Sequence, residues 1–169
     1  PPAAAQAAIL FESAYAASSA VYLSQFGWRM TGCLDPGRFR AAWDAVLARH
    51  TGLRSRFVLS GPASPLCLTL AGSQMPWHEA DLREAGPEAL SRFIADDRAR
   101  GIAVDGGALT RLALLRTKET EWQVVWTHHH GLLDGWSANL VLRDVFAHYG
   151  KQADLGAPVV VPSLEAVRE

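Results

Sequence analysis

Two apolar runs separated by a short polar turn constrain this chain more than any other feature: "LTRLALLRT" (109–117) and "EWQVVWTHHH" (121–130) flank "KETE". Runs of this length, rich in Leu, Val and Trp and bounded by polar residues, predict two neighbouring strands. On the second, side chains alternate between faces. His128 and His130 then fall with Val124 and Trp126, while His129 points the other way with Thr127 and Val125. Three adjacent histidines cannot close on one metal ion, and no cysteine or glutamate stands at a known ligand spacing that would complete a site. No metal is expected.

The remaining pattern surrounds these strands with helices. "AQAAILFESAY" (6–16) predicts an opening helix, and "YLSQFGWRM" (22–30) a strand ended by Gly32 and the Asp35-Pro36-Gly37 turn signals. From there Phe39, Trp43, Val46 and Leu47 recur at helical spacing, with Asp35 able to cap and Pro36 at the first helical position. "LRSRFVLSG" and "PLCLTLAG" predict a hairpin turned at Gly61-Pro62. Residues 86–101 predict another helix, with Leu90, Phe93 and Ile94 on one face and Gly101 as C-cap. A last helix carries Leu140, Val141, Val145 and Phe146, and the stretch from Lys151 reads as a linker. Strands mixed with covering helices predict a two-layer α/β sandwich with a mixed sheet. The expected division is one unit over 1–150 and a linker over 151–169.

Composition narrows the partners. The chain has 169 residues, 49% of them hydrophobic, enough for a real core in one domain. Sixteen basic against 17 acidic residues leave a net charge of -1, so neither nucleic acid nor an anionic membrane is called for. Cys33 and Cys67 are too few for a disulfide framework and suit a reducing cytoplasm. The start "PPAAAQAAILFESAYA" has no basic stretch, and Glu12 interrupts it, so neither a signal peptide nor a membrane span is expected.

The chemistry concentrates in "WTHHHGLLDGWS" (126–137). Imidazole titrates near neutrality, and a histidine held at a strand end can take or position a proton. The Gly131-Leu132-Leu133 turn would return Asp134 toward that end, where it could hold the loop or cap the next helix. As an isolated His-x-x-x-Asp the stretch would read as a polar strand end running into a helix cap. The full string, with His129, His130, Asp134, Gly135, Trp136 and Ser137 in order, is far more specific. Trp126 and Trp136 read as core or lobe-packing residues rather than substrate platforms, and Ser137 as a helix cap rather than a nucleophile.

The string "HHGLLDG" resembles the signature of condensation domains from nonribosomal peptide synthetases, and "RHTGLRSRF" (49–57) resembles a second motif of that family, Arg-His-x-x-Leu-Arg-x-x-Phe. "AWDAVLARH" and residues 97–116 have the family's texture in the expected order. The resemblance implies a chloramphenicol acetyltransferase-like fold, of which this chain would be the N-terminal lobe. It also implies joining of an upstream carrier-bound aminoacyl or peptidyl thioester to the amine of a downstream carrier-bound aminoacyl thioester. No cofactor would bind directly, each substrate arriving on a carrier's phosphopantetheine arm. The implied partners are the upstream and downstream peptidyl carrier proteins and the C-terminal lobe. An excised lobe would expose an apolar face and could self-associate.

Carried over by position, the resemblance makes His130 the residue that accepts the amine's proton or orients the amine, and makes His129 structural. It pairs Asp134 with Arg54 in a salt bridge. Gly135 would let backbone approach the reacting carbonyl, where its amide could stabilise developing charge. The opening departs from the family, since only Gln6 and "ILFES" match its usual Leu-Gln motif. Two other readings stay open: a stand-alone acyltransferase using coenzyme A thioesters, and a noncatalytic module that docks carriers.

Overall fold

The computed structural model describes residues 9, 12–13, 22–62 and 66–152. Its centre is a four-stranded mixed sheet formed by β1 (Leu23–Thr31), β4 (Trp77–Asp81), β5 (Thr110–Lys118) and β6 (Glu121–His129), in the order β1-β6-β5-β4. β6 pairs antiparallel with both β1 and β5, whereas β4 pairs parallel with β5. β2 (Ser55–Val58) and β3 (Leu66–Thr69) form the expected hairpin as a separate two-stranded sheet, and Gly61 takes φ +98 in its connection.

Helices α1 (Pro36–Arg49) and α3 (Gly135–Gln152) cover one face of the larger sheet. α1 begins as its sequence requires: Asp35 accepts the Arg38 amide at 3.1 Å, and Pro36 opens the first turn without an amide left to satisfy. Phe39, Trp43 and Val46 point inward and meet Trp28, Leu114 and Trp126 from the strands. Trp43 packs edge-on to Trp126 with ring centroids 5.2 Å apart. Each fully buried side chain of this size contributes roughly 1.5–3 kcal/mol, so this face dominates stability.

The opposite face carries α2 (Ala89–Ala99), whose Leu90, Phe93 and Ile94 pack on Ala113, Leu115 and Val125. Gly101, at φ +65, closes that helix in a conformation suited to glycine. Beneath α2 lies a buried ionic cluster. Asp97, 4% exposed, takes bonds from Arg111 Nε at 2.7 Å, Arg100 at 2.7 Å, Thr127 Oγ1 at 2.6 Å and Gln25 at 2.9 Å. Burial alone would raise the Asp97 carboxyl, but the bonds from Arg111, Thr127 and Arg100 prevail and hold it at about 2. Gln25 lies on β1, Arg111 on β5 and Thr127 on β6, so one carboxylate ties three strands to α2.

Of the expected opening helix, Ile9, Glu12 and Ser13 are helical, and the rest of residues 6–16 lies outside the described residues. α3 runs to Gln152, two residues past the expected end of the unit at 150; residues 153–169 of the expected linker also lie outside. No helix among the described residues is long and apolar enough to cross a membrane.

Candidate active site

The three histidines stand where β6 ends, and the alternation of the strand separates them. His128 faces the main core: its ring stacks on Phe26 at 5.6 Å and tilts against Trp126 at 5.0 Å. It is 1% exposed, and burial pushes it down to about 4, so it is neutral at physiological pH. Its Nδ1 lies 3.4 Å from the His129 carbonyl, and its Nε2 has no hydrogen-bond partner among the described residues.

His129 occupies the other face and is fully buried. Its Nδ1 accepts the Gly131 amide at 3.0 Å, so the ring proton sits on Nε2, which donates to Ser13 Oγ at 2.9 Å. Ser13 in turn donates to the Ile9 carbonyl at 2.7 Å. Burial again pushes this histidine down to about 4, helped by the neighbouring His130. His129 is thus a neutral structural pin.

His130 leaves the strand and is exposed. Its amide donates to the Tyr22 carbonyl at 2.8 Å, and its Nε2 lies 3.0 Å from Ser24 Oγ. Ser24 is the cross-strand partner of His128, and the rings of His128 and His130 meet edge to face at 6.3 Å. The exposed imidazole is therefore backed by a neutral aromatic ring and steadied by one hydroxyl. Among the described residues, no group of three His, Cys, Asp or Glu could hold a metal ion.

After the tight turn at 131–133, Asp134 accepts the Ser137 amide at 2.7 Å and caps α3. That amide holds its carboxyl below the usual range. The salt bridge expected between Asp134 and Arg54 is absent among the described residues. Arg54 follows α1 by one short 3-10 turn (Thr51–Arg54), where the last carbonyls of the helix lie beyond the reach of its own amides. Its guanidinium takes up Leu47 O at 3.2 Å and Ala48 O at 3.3 Å, with a further bond to Leu70 O. In the same motif His50 Nε2 bonds Asp144 of α3 at 2.9 Å, and Leu53 and Phe57 are buried. "RHTGLRSRF" thus joins α1, α3 and the β2-β3 hairpin, and Arg54 serves the end of α1 instead of Asp134.

Gly135 is exposed at the start of α3, and a Cβ built on it would meet nothing within 4 Å. Trp126 is core as expected. Trp136, by contrast, is 76% exposed and is no part of the core. Ser137 supplies an amide to the cap rather than the capping side chain. Nothing in the sequence pointed to Ser13 or Ser24 as partners of the histidines, because both contacts depend on the register of β1 and the position of the opening helix.

A mixed sheet with helices against it, and a His-His-x-x-x-Asp-Gly loop leaving one of its inner strands, define a chloramphenicol acetyltransferase-like lobe. The family model for the condensation domain matches residues 1–165, and the chain belongs to that family. It is 43% identical over 133 residues to chondramide synthase cmdD of Chondromyces crocatus, covering 78% of this chain. To a linear gramicidin synthase of Brevibacillus parabrevis it is 34% identical over 165 residues, covering 94%. The chain spans about 3% of the length of either relative. Among solved structures, the starter condensation domain of rhizomide synthetase RzmA shares the fold, with a TM-score of 0.79 at 22% identity. That match covers 88% of this chain and 36% of the other.

Proposed function

We propose that this chain is the N-terminal lobe of a peptide-bond-forming condensation domain, with residues past 150 leading toward a second lobe that completes the site. The amine of a downstream aminoacyl thioester attacks the carbonyl carbon of an upstream aminoacyl or peptidyl thioester. A C–N bond forms, the C–S bond breaks, and the upstream phosphopantetheine thiolate leaves. The amine loses one proton, which ends on the departing thiol or the surrounding water. Both substrates are delivered by carrier proteins.

The observation that carries this reading is the exposure of His130 beside two buried, neutral histidines. Its imidazole is available to the amine, either to accept the proton or to orient the nitrogen, and Ser24 limits its rotation. Gly135 leaves room for the acyl carbonyl to approach the start of α3, and its own amide stabilises developing negative charge. Asp134 and His129 hold the loop between these two points. Positioning two tethered reactants can contribute about 7–11 kcal/mol, so the lobe's geometry carries much of the rate.

The test is dipeptide formation between two loaded carrier proteins, comparing this chain with a form extended by its downstream residues. Only the extended form is expected to condense. In it, His130→Ala lowers turnover by about 10²–10⁴-fold, the range for general acid-base help. Full turnover by the short chain would overturn the lobe reading, and an active His130→Ala variant would remove His130 from the chemistry.

A further inference from the structure

The strand end that presents His130 is fixed through a side chain outside both sequence motifs. Backbone amides anchor the chain on either side of it. The His129 amide donates to Leu109 O at 2.9 Å, the His130 amide to Tyr22 O at 2.8 Å, and the Leu132 amide to His129 O at 2.8 Å. The Gly131 amide donates instead to the His129 ring, and of these bonds it alone depends on a protonation choice. Neutral imidazole carries its proton on either nitrogen, and only the form with Nδ1 bare can accept the Gly131 amide.

We infer that Ser13 is a positioning residue for His130, acting by selecting the tautomer of His129. The Ser13 hydroxyl is already committed as donor to Ile9 O at 2.7 Å, so toward His129 it acts as acceptor. An acceptor 2.9 Å from Nε2 requires the ring proton there, and this leaves Nδ1 bare for Gly131. The direction of each bond is set by the one before it: Ile9 carbonyl, Ser13 hydroxyl, His129 ring, Gly131 amide. The relay is anchored a second time, because Tyr22, whose carbonyl receives the His130 amide, donates its phenol to the Glu12 carboxylate. Adjacent helical residues, Glu12 and Ser13, thus contact the residue that receives the His130 amide and the ring that receives the Gly131 amide. Without Ser13, the proton can move to Nδ1, where it opposes the Gly131 N–H and releases the turn after His130.

This inference rests on the proposed role of His130 for its catalytic consequence, but its physical core is tested without turnover. Nitrogen NMR of histidine-labelled chain near neutral pH should show His129 protonated on Nε2 in the wild type. In Ser13→Ala the Nδ1-protonated form should appear, with Gly131 amide exchange about tenfold faster, the scale of one buried hydrogen bond. Ser13→Thr, which keeps the hydroxyl, should restore both signals. In the extended condensing form, Ser13→Ala should lower kcat about tenfold with KM for either carrier within about twofold. His129→Asn offers Gly131 an acceptor but cannot reach Ser13, so adding Ser13→Ala to it should change nothing further.

An unchanged His129 tautomer and unchanged Gly131 exchange in a folded Ser13→Ala protein would overturn the inference. Should His130→Ala condense normally while Ser13→Ala shifts the tautomer, the relay stands and the assignment of His130 falls.

Discussion

His129 and His130 are neighbours with identical side chains, yet the first is fully buried with both ring nitrogens engaged, while the second stands exposed with one serine hydroxyl against its ring. The end of β6 accounts for the difference, because both faces of the strand are buried up to His129. Behind His129, the same face continues through Thr127 into the Asp97 cluster and the apolar floor under α2. On the side of His130 the strand has ended, and the chain passes into a turn. Buried on both faces up to His129, the strand end holds still, and the first residue past it is open to solvent. Rigidity of the strand end gives that residue a defined place in space.

That contrast can be broken most severely at Asp97. Asp97→Asn leaves Arg111, only 15% exposed, without its countercharge. Removing one partner from a buried pair costs about 3–5 kcal/mol, to be read from urea unfolding of the chain. A loss below about 1 kcal/mol would show that the cluster does not anchor the face.

Acid acts in two separate windows. His128 and His129 stay neutral until about pH 4, whereas the unfolded chain takes up their protons near pH 6.5. The unfolded state then binds more protons between those values, so stability is full above about pH 6.5 and falls as pH drops toward 4. The contribution of Asp97, whose carboxyl is held at about 2, is present above the ordinary carboxylate value of about 3.9 and lost as pH falls from there through 2. Unfolding free energies at about pH 7, 5.5 and 4.5 should therefore decline, with a shallower slope in His128→Leu. A flat profile would contradict the burial of both rings.

The smallest of these effects sharpens the exposed side. Asp134→Ala removes the cap of α3 and should cost about 1 kcal/mol, seen as a lower Tm, without the larger loss that breaking a buried ion pair with Arg54 would bring.

Much of this was legible in the residues. Asp35-Pro36 announced α1, the polar turn announced the β5-β6 pair, and strict alternation sorted the histidines onto their faces. Local pattern sufficed because each feature is set by neighbours in sequence. β4 was not anticipated: "WHEAD" (77–81) has little apolar signal, and its parallel pairing with Thr110–Lys118 is a long-range choice. The Arg54 partner was missed for a similar reason. Sequence spacing could not reveal that the last carbonyls of α1 would claim its guanidinium in place of Asp134. Ser13 and Ser24 are ordinary hydroxyls until register brings them to the imidazoles.

The open space beside Gly135 makes the first turn of α3 a place where the approach of another molecule can be measured. Apart from its chain neighbours and its own helix backbone, a Cβ there would meet no atom of the described residues within 4 Å, at the first position of α3. Among the described residues the position is bare, so it acts as a gauge: the penalty for filling it reports how closely an outside molecule comes to the first turn of α3.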